Sequence, residues 1–357
     1  MQDLEFRQFI ERVKLRTPIE VVVGERVAAL RSRGSLFWAC CPFHQERTPS
    51  FAVDPRRGTW RCFGACGEGG DVLSFVERFD GLTFLEALRL LARQCGEELP
   101  ERATRGRAQG TEAALEARLE LLAWAAEIYR QAWSGPEGRG ARSYMERRGL
   151  SNAVLDAFGI GWASENGLAL LRAAERDKKP IDWLAEAGLL RRNDAGRTYD
   201  FFRGRVLIPI RDRLGWVVGF GGRLLGTEGD TTGPKYLNTP ETPYFHKGRL
   251  IFGLDLAARA IRSSHRLLVV EGYTDVMAAH QAGWQETVAV LGTATTEDNA
   301  ALIRRSGARA VVLVFDGDEA GRKATMRALH GLLPLPLEFR VAVLPEDRDP
   351  GDLLIEP

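Results

Sequence analysis

The chain has 357 residues, 45% of them hydrophobic, and its 49 Lys and Arg against 48 Asp and Glu leave a formal net charge of +1. That length and apolar content exclude a disordered polar chain and support more than one packed core. There is no long apolar run and no leader with a charged start and a small-residue cleavage site, so the sequence reads as cytoplasmic. In that setting its five cysteines read as metal ligands or buried thiols, not as a disulfide framework.

The near-zero charge conceals a local imbalance. Residues 191–249 carry eleven Lys or Arg against six Asp or Glu, whereas residues 345–357 carry five acids against one Arg. A basic region followed by an acidic one fits a polyanion track leading to a metal cluster. For any single arginine, a solvated surface remains the simpler account.

In chain order, Phe6, Phe9, Ile10 and Val13 follow helical spacing and predict an amphipathic helix over 4–13. Next comes Cys41-Pro42-Phe43-His44 and, after seventeen intervening residues, Cys62-Phe63-Gly64-Ala65-Cys66. Strand-like stretches at 36–39, 50–53 and 59–61 join the two pairs. Three thiolates and one imidazole on two tight turns can close a tetrahedral zinc site with no open position, which is structural chemistry. Cys40 competes for the metal on paper. Cys41 is preferred because its two-residue gap to His44 is the usual knuckle, and Cys40 faces the other way along a strand. Cys95, in a helical pattern, reads as a small core residue. Arg47, Arg56, Arg57 and Arg61 interleave with Phe43, Phe51, Trp60 and Phe63. The arginines point to contact with single-stranded nucleic acid, while the aromatics serve equally as stacking partners or as the ribbon's core.

The stretch Ala39-Cys40-Cys41-Pro42-Phe43-His44-Gln45-Glu46-Arg47-Thr48-Pro49-Ser50-Phe51, followed by Arg61-Cys62-Phe63-Gly64, resembles the zinc-binding domain of bacterial DNA primases of the DnaG type. In that family two residues ordinarily separate the second ligand pair; here there are three.

Helices are expected over 71–79 and 83–94, the second opening on a capping box at Thr83 and Glu86 and turning Leu85, Leu88 and Leu91 toward the ribbon. Residues 100–110 contain no large apolar side chain and read as a flexible tether. A long helix over 112–133 places Leu115, Leu119, Leu122, Ala126, Tyr129 and Trp133 on one face. Residues 201–210 and 215–223 read as paired strands around a turn. Gly219, Gly221 and Gly222 lack the third glycine of a dinucleotide fingerprint and read as strand-exit or bulge positions beside which a backbone could approach. Nor does Gly321-Arg322-Lys323-Ala324 make a phosphate loop.

This middle region resembles the primase core's amino-terminal subdomain at Arg147-Arg148-Gly149-Leu150, Tyr199-Asp200-Phe201-Phe202-Arg203 and Pro234-Lys235-Tyr236-Leu237-Asn238-Thr239-Pro240-Glu241-Thr242. The resemblance implies a basic ridge for template and nucleotide made of Arg148, Arg203, Arg205, Arg223, Lys235 and Lys247. Such residues position phosphates without reading bases.

From residue 266 strands and helices alternate: strands at 267–270, 287–291, 310–315 and 338–344, with helices between them. Two of the strands end in acid, at Glu271-Gly272 and at Asp316-Gly317-Asp318. In an open parallel sheet, ligands gather at the strands' carboxyl ends, so acids converging there beside glycines suggest a divalent metal site. Glu271-Gly272-Tyr273-Thr274-Asp275 and Asp316-Gly317-Asp318 resemble the Toprim domain, and residues 291–296 resemble its primase branch. The assignment implied is Glu271 as ligand or general base, Asp316 and Asp318 as metal ligands and Asp349 as a further ligand. Asp275 is either an outer acid or a favourable charge in a helix's first turn. The family usually reads Asp-Pro-Asp where this chain has Asp349-Pro350-Gly351-Asp352.

The expectation is a multidomain α/β protein: a zinc ribbon with helices (1–99), a linker (100–111), an α+β basic subdomain (112–264) and a Toprim domain (265–357) whose parallel sheet carries helices on both faces. The resemblance implies a monomeric, nucleoid-associated DNA primase making short RNA primers on single-stranded DNA from ribonucleoside triphosphates. It would hold one structural zinc and up to two or three catalytic magnesium or manganese ions. A replicative helicase is the family's partner, although its docking domain has no counterpart in these residues. The alternatives are a single-strand-binding protein with an inactive or accessory Toprim domain, and a Toprim nuclease.

Overall fold

Five short strands build an antiparallel meander near the N-terminus: β1 (Arg31–Arg33), β2 (Leu36–Ala39), β3 (Phe51–Asp54), β4 (Thr59–Cys62) and β5 (Gly69–Asp71). The computed structural model describes residues 2–27, 29–44, 46–82, 84–97, 109–225, 233–291, 296–346 and 348–355. The chain divides into two units, Met1–Ala113 and Ala114–Pro357. Gln45, Thr83 with its expected capping box, most of the expected tether and residues 292–295 lie outside the described residues.

In the first unit α1 (Gln2–Arg16) and α2 (Ile19–Arg26) precede the meander, and α3 (Val72–Asp80) and α4 (Phe84–Gln94) follow it. Asp71 caps α3 by accepting the Ser74 amide at 2.9 Å, and Gly81 ends it in the left-handed conformation at φ 64°. Phe9 and Val13 of α1, Phe51, Val53 and Trp60 of the sheet, Phe75 of α3 and Leu88 and Leu91 of α4 form a single core. Leu85 does not join it: it stands on the exposed side of α4, because Ala87, Leu88, Leu91 and Ala92 already complete the buried stripe. Cys95 packs at the edge of this core.

The second unit contains most of the long helix α5 (Gln109–Ser134), followed by α6 (Arg139–Arg147), α7 (Asn152–Phe158), β6 (Gly161–Ala163), α8 (Ala169–Arg176), α9 (Ile181–Glu186) and the ribbon β7 (Leu190–Arg192) with β8 (Thr198–Asp200). Then come β9 (Arg205–Arg211), β10 (Val217–Leu224) and β11 (Tyr236–Asn238), which with β6 make an antiparallel sheet of order β11-β10-β9-β6. β9 is apolar at consecutive positions because both of its faces are covered. Val206, Ile208 and Ile210 face one core, and Leu207 faces another, built with Leu122 and Tyr129 of α5 and Leu170 of α8. Asp200, buried at the end of β8, accepts the amides of Leu170 and Leu171 at 2.9 and 3.0 Å. It thereby caps α8, whose own N-cap, Leu168, offers no side-chain acceptor.

The glycines of β10 are explained by aromatic rings, not by an approaching backbone. A Cβ on Gly219 would lie 2.7 Å from the Phe245 ring, one on Gly221 2.8 Å from Tyr273, and one on Gly222 2.8 Å from Phe202. The register does slip between Val217 and Gly219, as a bulge would require.

The third sheet comprises β12 (Ile251–Phe252), β13 (Arg266–Val270), β14 (Thr287–Val290), β15 (Ala310–Val314) and β16 (Glu338–Ala342), in the order β12-β14-β13-β15-β16. Four strands are parallel as expected. The edge strand β12 is antiparallel and comes from upstream of residue 265. α10 (Leu254–Ser264), α12 (Glu297–Arg305) and α13 (Glu319–Leu332) cover one face through Ala257, Ile261, Ile303, Ala328 and Leu332. α11 (Tyr273–Gln281) covers the other through Val276 and Met277, and α14 (Pro350–Ile355) packs against α11. Burial on both faces is why these strands read as unbroken aliphatic runs.

Candidate metal centres and nucleic-acid face

Cys41 follows β2, Cys62 ends β4, and His44 and Cys66 sit on the turns beyond. The four ligand atoms lie within 4.8 Å of one another. Cys41 Sγ is 3.7 Å from Cys66 Sγ, and Cys62 Sγ is 3.8 Å from His44 Nδ1. Metal–sulfur bonds of about 2.3 Å in a tetrahedron put sulfurs roughly 3.8 Å apart, so the donor set fits zinc. Cys40 stands outside this group. Despite the three residues between Cys62 and Cys66, the two sulfurs and the turn stay together, with the Gly64 amide donating to Cys62 Sγ at 3.2 Å. A Cβ there would meet Ser50 Oγ at 2.5 Å and Glu46 Oε2 and His44 Nε2 at 2.9 Å. Without metal, burial pushes the Cys41 thiol up to about 12. Burial acts the same way on Cys62, but hydrogen bonds from Ser50, Cys66 and the Gly64 amide outweigh it and bring that thiol to about 7.

The ribbon's aromatics divide into two sets. Phe43, Phe51, Trp60 and Phe75 form one cluster with centroids 5.1 to 6.1 Å apart, which makes them core. Phe63 is 66% exposed, stacks on Trp38 at 6.0 Å and lies under the Arg61 guanidinium at 5.8 Å.

In the second unit the acids gather at the carboxyl ends of β13 and β15. Glu271 follows β13 and accepts the Asp316 amide on Oε1 at 3.3 Å. Asp318 caps α13 by accepting the Gly321 amide at 2.7 Å. Asp275, in the first turn of α11, accepts the Gly272 amide at 2.9 Å, and Asp349 caps α14 through the Asp352 amide at 2.6 Å. Glycines permit this closeness. A Cβ on Gly317 would collide with the Pro345 carbonyl, one on Gly272 would lie 2.6 Å from Asp275 Oδ2, and one on Gly351 would lie 2.8 Å from Asp275 Oδ1.

Burial, followed by the charges of Glu271, Asp275, Asp349 and Asp318, pushes Asp316 up to about 7. Burial and the neighbouring Asp349 push Asp275 to about 6, and Glu271 is raised by burial and by Asp318. Asp275 is therefore a member of the cluster and not only a helix-dipole charge. Asp316 Oδ1 is buried and accepts no hydrogen bond. An orphaned carboxylate oxygen fits a divalent cation, which would supply the missing partner, although among the described residues only the Cys/His group already brings its ligand atoms together.

The basic candidates fall in different settings. Arg203 and Lys235 are exposed, and Arg148 and Lys247 are half-buried. Arg203 lies over the Tyr199 ring at 5.5 Å. Arg223 is buried between two tyrosines, donating to Tyr144 Oη at 2.6 Å and Tyr236 Oη at 2.7 Å. Arg205 departs from the expected ridge: it is 5% exposed and donates to the carbonyls of Gly222 and Pro234, both at 3.0 Å. Its charge serves the sheet, not the surface.

Four contributors escaped the sequence reading: Tyr144, Tyr236, Asn238 and Glu46. Tyr236 and Asn238 were discoverable, since period-two alternation places both on one face of β11, opposite Arg223 and Gly221 respectively.

Fold and sites together define a zinc-ribbon protein with an acidic Toprim-type centre, and comparison with known proteins agrees. Family models match for the CHC2 zinc finger over residues 6–107, the DNA primase catalytic core N-terminal domain over 128–258 and the Toprim domain over 265–343. DNA primases of Pseudomonas aeruginosa and Escherichia coli K12 are each 42% identical over 98% of the chain. The chain spans 52% and 59% of those relatives' lengths. Among solved structures, the zinc-binding and RNA polymerase domains of the Aquifex aeolicus primase align with a TM-score of 0.64 and 32% identity, covering 97% of this chain and 81% of that one. A DnaG primase catalytic domain bound to single-stranded DNA aligns with a TM-score of 0.58 and 41% identity, covering 67% of this chain and 77% of that one. The chain belongs to the DnaG-type DNA primase family. Among the described residues no helix is long and apolar enough to cross a membrane.

Proposed function

We propose that this chain synthesises short RNA primers on single-stranded DNA by metal-dependent nucleotidyl transfer. The observation that carries the reading is the orphaned, buried Asp316 carboxylate oxygen among Glu271, Asp275, Asp318 and Asp349, in the same unit as the basic sheet β9–β11. Magnesium or manganese bound there would lower the pKa of a 3′ hydroxyl and neutralise the departing pyrophosphate. Asp316, Asp318 and Asp349 are the proposed ligands. Glu271 commits Oε1 to the Asp316 amide, which leaves its second oxygen for a ligand bond or for the hydroxyl proton. Burial raises its basicity in that role.

Arg148, Arg203, Lys235 and Lys247 are the proposed phosphate contacts for template and ribonucleoside triphosphate; Arg223, buried like Arg205, spends its donors on Tyr144 and Tyr236 and supports the strand from which Lys235 is presented. Cys41, His44, Cys62 and Cys66 hold the structural zinc, and Phe63 with Trp38 and Arg61 offers a stacking surface for an unpaired template base. The domain division proposed is the zinc ribbon, the basic subdomain and the Toprim domain. A primer-synthesis assay on single-stranded template tests the proposal. Asp316→Ala and Asp318→Ala should each abolish incorporation while leaving template binding intact. Full incorporation by either variant overturns the site. Template binding with no incorporation by the wild-type chain, or strand cleavage in its place, overturns the activity.

A further inference from the structure

The zinc knuckle contains a carboxylate that ligates nothing yet touches much of the site. Glu46 Oε1 accepts the amides of Cys41 at 2.5 Å and Ser50 at 3.3 Å. Glu46 Oε2 lies 3.2 Å from His44 Nε2. Ser50 in turn places its hydroxyl 3.4 Å from Cys62 Sγ. The Glu46 side chain is 13% exposed, so it is no solvated surface acid.

Two groups address His44 Nε2, and they ask for opposite tautomers. The Ala65 amide points at it from 3.3 Å as a donor and favours a bare Nε2, with the proton on Nδ1. Glu46, an acceptor only, favours Nε2–H and a bare Nδ1. Nδ1 is the nitrogen that faces Cys62 Sγ, and a metal needs it unprotonated.

We infer that Glu46 is the positioning residue of the zinc site, fixing His44 in the tautomer whose Nδ1 can bind metal. The inference rests on reading the four-residue cluster as a zinc site. Loss of a carboxylate partner behind a ligating imidazole typically weakens metal binding by about ten- to a hundredfold.

Glu46→Gln isolates this role. Gln turns its carbonyl oxygen toward the two amide donors, Cys41 and Ser50, and so presents its NH2 to Nε2. That adds a second donor to the Ala65 amide and drives the proton to Nδ1. The backbone bonds survive while the tautomer inverts. In the His44→Cys background a thiolate replaces the imidazole, and the Gln substitution should then have no effect.

The experiment measures zinc affinity of the full chain by competition with a chromophoric chelator, for wild type, Glu46→Gln, His44→Cys and the double variant. Imidazole nitrogen shifts of the zinc-free wild type and Glu46→Gln supply the tautomers. The expected result is about a ten- to hundredfold loss for Glu46→Gln, no further loss on adding it to His44→Cys, and a change from Nε2–H to Nδ1–H. Wild-type affinity in Glu46→Gln, an equal loss in both backgrounds, or an unchanged tautomer overturns the inference. A wild-type chain that binds no zinc overturns the reading beneath it as well.

Discussion

The Tyr273 hydroxyl donates to the Asn238 side-chain oxygen across 2.8 Å, joining the first residue of α11 to the last residue of β11. Tyr273 follows Glu271 by two positions and Asn238 follows Lys235 by three, so this bond ties the acidic loop to the basic strand. The ring is held from several sides, by Phe252 at 4.8 Å, Tyr236 at 6.1 Å and the bare face of Gly221.

Replacing that bare face should be more damaging than removing the bond. Tyr273→Phe forfeits one hydrogen bond, worth about 0.5–1.5 kcal/mol. Gly221→Ala puts a methyl within 2.8 Å of the ring and displaces it, at a cost of about 1–3 kcal/mol. Urea unfolding of the two variants measures both, and primer synthesis should fall further in Gly221→Ala because the acid loop moves with the ring. A neutral Gly221→Ala would mean that the ring is not clamped as described.

The buried acids cost the fold stability at neutral pH, and the sign can be worked out. Asp316 is held up to about 7 and Asp275 to about 6, against about 3.9 for an unperturbed Asp. Between those limits the folded state binds more protons than the unfolded chain, so the cluster's contribution is fully present below pH ~4 and is lost as pH rises through 6 to 7. Asp316→Asn keeps the shape and removes the charge. Without metal it should melt higher than wild type at pH 8, with the gap closing toward pH 4. Magnesium should raise the wild-type melting temperature at pH 8 and do far less for the variant. Thermal scans across pH with and without magnesium decide this; a variant less stable than wild type at pH 8 in chelator contradicts it.

Much of this arrangement was legible in the residues. Buried parallel strands announce themselves as aliphatic runs, so β13 and β15 and the acids at their ends could be located before any coordinates. The knuckle spacing did the same for the zinc ligands. What periodicity could not reveal was the destination of long polar side chains. Arg203 and Arg205 are two apart and look alike in sequence, yet one is exposed and the other is folded onto the Gly222 and Pro234 carbonyls. That difference depends on a strand nineteen residues away from Arg205 in its pairing with Leu224, which no local window contains. Gly219, Gly221 and Gly222 likewise signalled close approach, but only tertiary packing shows that aromatic rings do the approaching.

Zinc removal should affect one unit only. The first unit owns a core of Phe9, Phe51, Trp60, Phe75, Leu88 and Leu91, but Cys41 and Cys62 are buried within it, and uncompensated thiols there lose the ion that organises both turns. Calorimetry of the wild-type chain in a strong chelator should show the first unit's transition shifted down while the second unit's is unmoved. Cys66→Ser should reproduce the shift without chelator. A chelator effect spread equally over both transitions would assign the metal's influence elsewhere.

The two neighbouring arginines should separate stability from template binding. Arg205→Ala strips two backbone carbonyls of their buried donor, an omission that costs about 1–3 kcal/mol, and should lower the melting temperature. Its effect on template affinity should not change with salt, because a guanidinium 5% exposed displaces no counterion. Arg203→Ala and Lys235→Ala remove exposed charges and should leave melting nearly unchanged. Each should reduce the slope of log affinity against log salt by about 0.7, the value for one phosphate contact on single-stranded DNA. Fluorescence anisotropy with a labelled single strand over a salt series measures the slopes. An Arg205→Ala slope reduced as much as that of Lys235→Ala would return Arg205 to the phosphate-binding ridge.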